Sequence, residues 1–198
     1  MQHRVHHWLC ILLFCGGCAA SVIAEPQHPI VRIAEEAPTL FRMGHDQAMR
    51  GDNLRAEQYF LAAQRAGYPE SNVLPSLLDV CVSSGRLRSA LGYAESYLRR
   101  HPEDFRLRHL VASIHLGLGD TARAFRELEN VLGKAPEHAP SHYLLAVIAN
   151  ETFADAEAAR RYFQGYLKLE PHGAHAAEAS AWLRDHPRKK ATAGRNPS

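Results

Sequence analysis

The chain has 198 residues, 46% of them hydrophobic and 22% charged, which suits one folded unit or one short repeat array and excludes a disordered acidic chain. Lys and Arg number 23 against 21 Asp and Glu, a formal net charge of +2 that supplies no basic surplus for nucleic acid. Alanine occurs 30 times against 15 for valine and isoleucine together, so intrinsic propensity favours helix and predicts an all-α protein.

At the N-terminus, Met1 to His7 is polar and carries Arg4, Trp8 to Cys15 is apolar, and small residues follow to Ala24 with no acid among them. This is the layout of an export signal over residues 1–24. Its apolar core of about eight to ten residues is short of the roughly twenty that a membrane-spanning helix needs. Two processing sites compete. Val22-Ile23-Ala24 before Glu25 suits an ordinary signal peptidase, and Cys15-Gly16-Gly17-Cys18 partly resembles a bacterial lipoprotein box, with Cys15 in place of the usual leucine. The second choice limits the signal to residues 1–17, makes Cys18 the acylated first residue and leaves a lipid as the sole membrane attachment. The expected location is therefore the periplasm or the inner face of the outer membrane. Residues 25–36 read as a linker. Cys10, Cys15 and Cys18 fall in the signal, so Cys81 has no intramolecular disulfide partner and is expected as a buried, inert thiol.

The remainder repeats with a period of 34 residues, in blocks 37–70, 71–104, 105–138 and 139–173. Gly44, Leu78, Ala112 and Ala146 share the eighth place, and Ala56, Ala90, Ala124 and Ala158 the twentieth, where helices must approach closely. Large apolar residues keep the same beat, with Met43, Leu77, Val111 and Leu145 at the seventh place and Phe60, Ala94, Leu128 and Tyr162 at the twenty-fourth. Gly51, Gly85 and Gly119 are helix stops, and Asp52 and Asp120 are the expected caps of the helices that follow. Pro69, Pro102, Pro136 and Pro171 end the blocks, because a residue without an N–H cannot continue a helix. In the fourth block a one-residue insertion is expected to move the second helix onto Ala159, Phe163 and Tyr166. Ala174 to His186 reads as a capping helix (residues 174–186), and residues 187–198, rich in Lys, Arg and Pro, as a disordered basic tail.

These places resemble the tetratricopeptide repeat: small at eight, Gly near fifteen, Ala at twenty, aromatic at twenty-four and Pro near thirty-two. The resemblance implies a right-handed superhelix of four helix-turn-helix repeats plus the capping helix. Tryptophan is missing at the fourth place, where Leu40, Leu74, Arg108 and His142 stand.

No phosphate-binding loop, HExxH, nucleophile elbow or paired-cysteine motif is present, so no catalytic residue, enzyme activity or cofactor is expected. His138 with His142 and His172 with His175 have close spacings but adjoin proline or glycine junctions and lack a third ligand, so no metal site is expected. Within the resemblance, the second, fifth, ninth, twelfth and thirteenth places face an inner groove that binds a partner protein. Those places give Phe41, His45, Met49, Asn72, Asp79 and Val82 in the first two blocks. Arg106, His109, Ser113 and Leu116 continue the lining, and Tyr143, Val147 and Asn150 end it. Such a surface suits an extended segment or a helix of another protein. A clamp for a C-terminal carboxylate is disfavoured, because Phe41 with His45 and Pro75 with Asp79 occupy the places that clamp uses. The expected function is a non-enzymatic adaptor of the bacterial cell envelope that assists a pilus, secretion or outer-membrane assembly. Two alternatives remain open: a self-associating structural component, and a periplasmic ligand or metal sensor using His45, His109 and Asp79.

Overall fold

A computed structural model describes residues 29–187 of the chain. The segment read as an export signal, Cys18 and the tail beyond Pro187 lie outside the described residues. Within them the chain forms nine helices and no strand: α1 (Pro29–Met49), α2 (Asn53–Arg65), α3 (Glu70–Ser83), α4 (Leu87–Leu98), α5 (Phe105–Gly117), α6 (Thr121–Lys134), α7 (Ala139–Glu151), α8 (Ala156–Leu169) and α9 (Ala176–Asp185). Each repeat block supplies one hairpin, and α9 follows as the cap. Bonds from α1 to α3, α5 to α7 and α7 to α9 place the first helices side by side, while Tyr93 of α4 with Glu57 of α2 and Tyr162 of α8 with Glu129 of α6 do the same for the second helices. The result is a two-layer stack with the core between the layers.

The period arises in the turns. Gly51, Gly85 and Gly119 have φ of 78°, 70° and 77°, the left-handed region where a side chain costs energy, so each stops its helix at the same place in its block. One residue on, the N–H of Asp52, Arg86 and Asp120 donates to the carbonyl five positions earlier, on Gln47, Cys81 and His115. The side chains of Asp52 and Asp120 then accept from the N–H of Arg55 and Arg123, each at 3.1 Å, and start the second helix. Such a cap contributes about 1 kcal/mol. Arg86 has no capping side chain; its guanidinium turns inward to Glu57.

The fourth turn carries the expected extra residue. Asp155 donates to Ala149, six positions back, and caps α8 through Ala158 N at 2.9 Å. Ala154, with φ of 52°, takes the place that glycine holds elsewhere. The second helix shifts accordingly, and Ala159, Phe163 and Tyr166 are buried.

Alanine at the twentieth place, and a small residue at the eighth in every repeat but the second, where Leu78 stands, let the two layers close. Ala56, Ala90, Ala112, Ala124 and Ala146 are fully buried, with Phe60 and Leu128 filling the space beside them. Burying a ring such as Phe60 contributes on the order of 2–3 kcal/mol. Cys81 is fully buried as expected; burial first, and the Glu57 carboxylate second, push its thiol up to about 11, which keeps it protonated and unreactive. Burial also pushes the Glu57 carboxyl up, but hydrogen bonds from Arg86, Tyr93 and Cys81 outweigh it and hold the group below the usual carboxylate range. This polar knot ties the first hairpin to the second.

Two expectations fail at the start of the array. The stretch 25–36 assigned to a linker is helical from Pro29 onward, and α1 continues through Pro38. Met43, expected in the core, is 36% exposed, because among the described residues no hairpin before the first repeat covers it.

Candidate functional site

The fifth place of each first helix sets the shape of the inner surface. In the first repeat Phe41 stacks on Tyr68 from the following loop, with centroids 4.4 Å apart. His109 of the third meets His138 at 4.8 Å, and Tyr143 of the fourth stacks on His175 at 3.8 Å. A ring from the loop thus closes the seam between repeats in three places.

The second repeat has Pro75 at this place, and no ring covers it. A cleft of about 500 Å³ opens there between α3 and α5. Its walls are Leu74, Leu78 and Val82 on one side, Leu107 and Leu110 on the other, with Tyr97 below and Ser71 at the rim. Val82 and Leu110 are 41% and 37% exposed, so the cleft presents branched apolar side chains to solvent. Charges stand at the lips. Asp79 and Arg106 line the cleft and neither forms an ion pair among the described residues. Arg106 lies over the Phe105 ring at 5.9 Å, and Asp104 is engaged in capping α5 through Leu107 N at 2.9 Å. Pro75 and Asp79 also border a second hollow of about 250 Å³ toward α1, lined by His45, Ala48, Phe60 and Ser76. The two hollows are consecutive, with Asp79 on the ridge between them.

Only some of the residues assigned to the groove from sequence meet here. Asp79, Val82 and Arg106 do, and His45 joins them in the adjacent hollow, its Nε2 3.4 Å from Ser76 Oγ. Phe41 is packed beneath Tyr68, Met49 is 80% exposed at the end of α1, and Asn72 is exposed beside Ser71, whose hydroxyl donates to it at 3.4 Å. His109 points into the seam with the fourth repeat, where its Nδ1 is 3.1 Å from the fully buried Ser141 Oγ; His138 approaches the same oxygen at 2.9 Å. Burial, then the neighbouring His138, lowers His109 to about 4, and burial, then Arg106 and His142, lowers His138. Ser113 donates to the His109 carbonyl at 3.1 Å, and Leu116 packs into the core of the third and fourth repeats.

The last three assigned residues are covered by the cap. Tyr143 donates to Glu178 at 2.8 Å, Asn150 accepts from Trp182 Nε1 at 3.0 Å, and Val147 belongs to the cluster that α9 completes. Burial and the Glu178 bond push the Tyr143 hydroxyl up to about 12. The groove therefore ends before the fourth repeat, because α9 occupies the place where a next first helix would lie. Leu110 and Tyr97, which the place rule does not select, belong to the cleft; the signal for them was Pro75, a residue too small to fill the fifth place. His45, His109 and Asp79 do not converge: His109 is committed to Ser141 and His138, away from the other two. Among the described residues no group of three or more His, Cys, Asp or Glu is placed to hold a metal ion, and no helix is long and apolar enough to cross a membrane.

Solved structures share this architecture. YrrB, described as a TPR protein with an unusual peptide-binding site, is 20% identical, with a TM-score of 0.60 over 73% of this chain and 74% of its own. A tetratricopeptide repeat protein from Parabacteroides merdae ATCC 43184 is 24% identical, with a TM-score of 0.68 over 76% of this chain and 59% of its own. MamA is 13% identical, with a TM-score of 0.62 over 76% of this chain and 90% of its own. The chain has the tetratricopeptide-repeat fold. No protein-family model matches it, and no curated protein does. The tetratricopeptide stack accounts for the inner surface being built from first helices, and the place of Pro75 in it accounts for the cleft.

Proposed function

We propose that this chain is a non-enzymatic protein-interaction scaffold that holds a segment of a partner protein on its inner surface. The observation that carries the reading is the cleft at Pro75: an apolar hollow with exposed Val82 and Leu110, left open where the other seams are closed by rings. A solvent-facing hollow of this kind costs free energy in the isolated protein and gains it back when filled. YrrB, similar in fold, is described as having a peptide-binding site, and the same mode of action is proposed here.

The acid-free, three-part segment 1–24 supports export to the bacterial cell envelope, with the mature chain beginning at Glu25 or at lipidated Cys18, and with a role in assembling a pilus, secretion or outer-membrane complex. Mass spectrometry of the mature N-terminus tests this half: Glu25 or an acylated Cys18 is expected, and a retained Met1 contradicts it.

The binding half is tested by quantitative affinity purification from the native host. Proteins retained by the wild type and lost from the Val82→Glu/Leu110→Glu variant are the expected clients of the groove. An identical set from both proteins contradicts the reading.

A further inference from the structure

The cleft has a chemistry of its own, and it narrows the partner. A closed cavity of roughly 150 Å³ takes one benzene ring; this open cleft of about 500 Å³ has room for two large apolar side chains. Two such groups project from one face of a segment when they are three or four residues apart in a helix, or two apart in a strand. The lips add polarity. Asp79 lies on the α1 side and Arg106 on the α5 side, both exposed and without an ion pair among the described residues, so each offers its full charge to whatever enters. Asp104 cannot compete equally with Asp79, because one of its carboxylate oxygens already accepts the Leu107 N–H.

We infer that the cleft between α3 and α5 is an anchor site for a peptide segment that presents two same-face apolar side chains, with a Lys or Arg toward Asp79 and an Asp or Glu toward Arg106. The inference rests on the groove reading and gives it a direction: the segment's base lies toward the first repeat and its acid toward the third. Pro75 is the residue that makes the site, since a ring there would occupy the hollow as Phe41, His109 and Tyr143 do at the neighbouring seams. Apolar contact supplies affinity, while the charged lips set orientation and reject segments of the opposite polarity.

The experiment is selection of random 12-residue peptides displayed on phage against the purified full chain, followed by fluorescence anisotropy with the enriched peptide. Enriched sequences are expected to carry two large apolar residues between a base and an acid. Val82→Glu should weaken their binding at least tenfold, as should Leu110→Glu; both positions are already partly exposed, and circular dichroism melts report whether each variant is folded. Asp79→Lys should weaken binding at least fivefold and be rescued by a peptide whose base is changed to Glu, while Arg126→Glu on α6 leaves binding unchanged. Absence of any enriched peptide overturns this inference and the groove reading together. Peptides that bind regardless of Val82→Glu overturn the cleft alone. Loss at Val82→Glu without rescue of Asp79→Lys overturns the charge assignment. Concentration-dependent dimerisation abolished by Val82→Glu makes a second copy the occupant and likewise overturns the inference.

Discussion

Gly44 and Phe60 touch across the first hairpin so closely that a methyl group on Gly44 would meet Cδ1 and Cε1 of the ring at 2.5 Å. Phe60 is fully buried and has nowhere to retreat. The eighth place is small in the first, third and fourth repeats, with Leu78 in the second, and this contact shows why in the first. Gly44→Ala is therefore expected to lower stability by about 1–3 kcal/mol despite its better helix propensity. Gly44→Ala with Phe60→Leu should lose less than the sum of the two single changes, as read from urea denaturation of all four proteins. Additive losses contradict the contact.

Ala154 sits in the left-handed region with φ of 52°, where its counterparts are glycines. Ala154→Gly is expected to raise stability by about 0.5–1 kcal/mol, and Gly119→Ala to lower it by a similar amount. Opposite signs at the two turns, measured by thermal melting, are the signature of the inserted residue; equal signs contradict it.

His109 gives the stack a dependence on pH. Its pKa is about 4 in the fold, against an ordinary value of 6.5, because burial and the facing His138 disfavour the cation. Between these values the unfolded chain binds more protons, so stability present above about pH 6.5 is lost as pH falls toward 4. His138 adds to the loss in the same direction, and Arg106 deepens its resistance to protonation. Lowering the pH from 7 to 5 should cost about 1 kcal/mol through this seam. His109→Asn should flatten that part of the profile in chemical denaturation at the two pH values. An unchanged slope contradicts the assignment.

The stack was legible in the sequence because its signals are local. A glycine at the left-handed position and an alanine where helices cross act within a few residues of chain, so they recur visibly at Gly51, Gly85 and Gly119, with an aspartate one step on at the first and third of these. The displacement of Ala159, Phe163 and Tyr166 was legible for the same reason. What depends on neighbours in space was not. Residues 25–36 read as a linker, yet α1 begins at Pro29 and runs on through Pro38. Met43 obeys the apolar beat, but among the described residues no preceding hairpin covers it. Tyr143, Val147 and Asn150 satisfy the groove rule, but the docking side of α9 decides that they are covered. Conversely, Leu110 fell outside the rule and was exposed to the cleft by the absence of a ring at Pro75.

The most direct test of the scaffold account is photocrosslinking in living cells, with p-benzoylphenylalanine placed at Val82 in the cleft or at Arg126 on α6. The account predicts a discrete crosslinked protein from Val82 that is absent from Arg126. Crosslinking from Arg126 with none from Val82 would show that the outer layer does the binding.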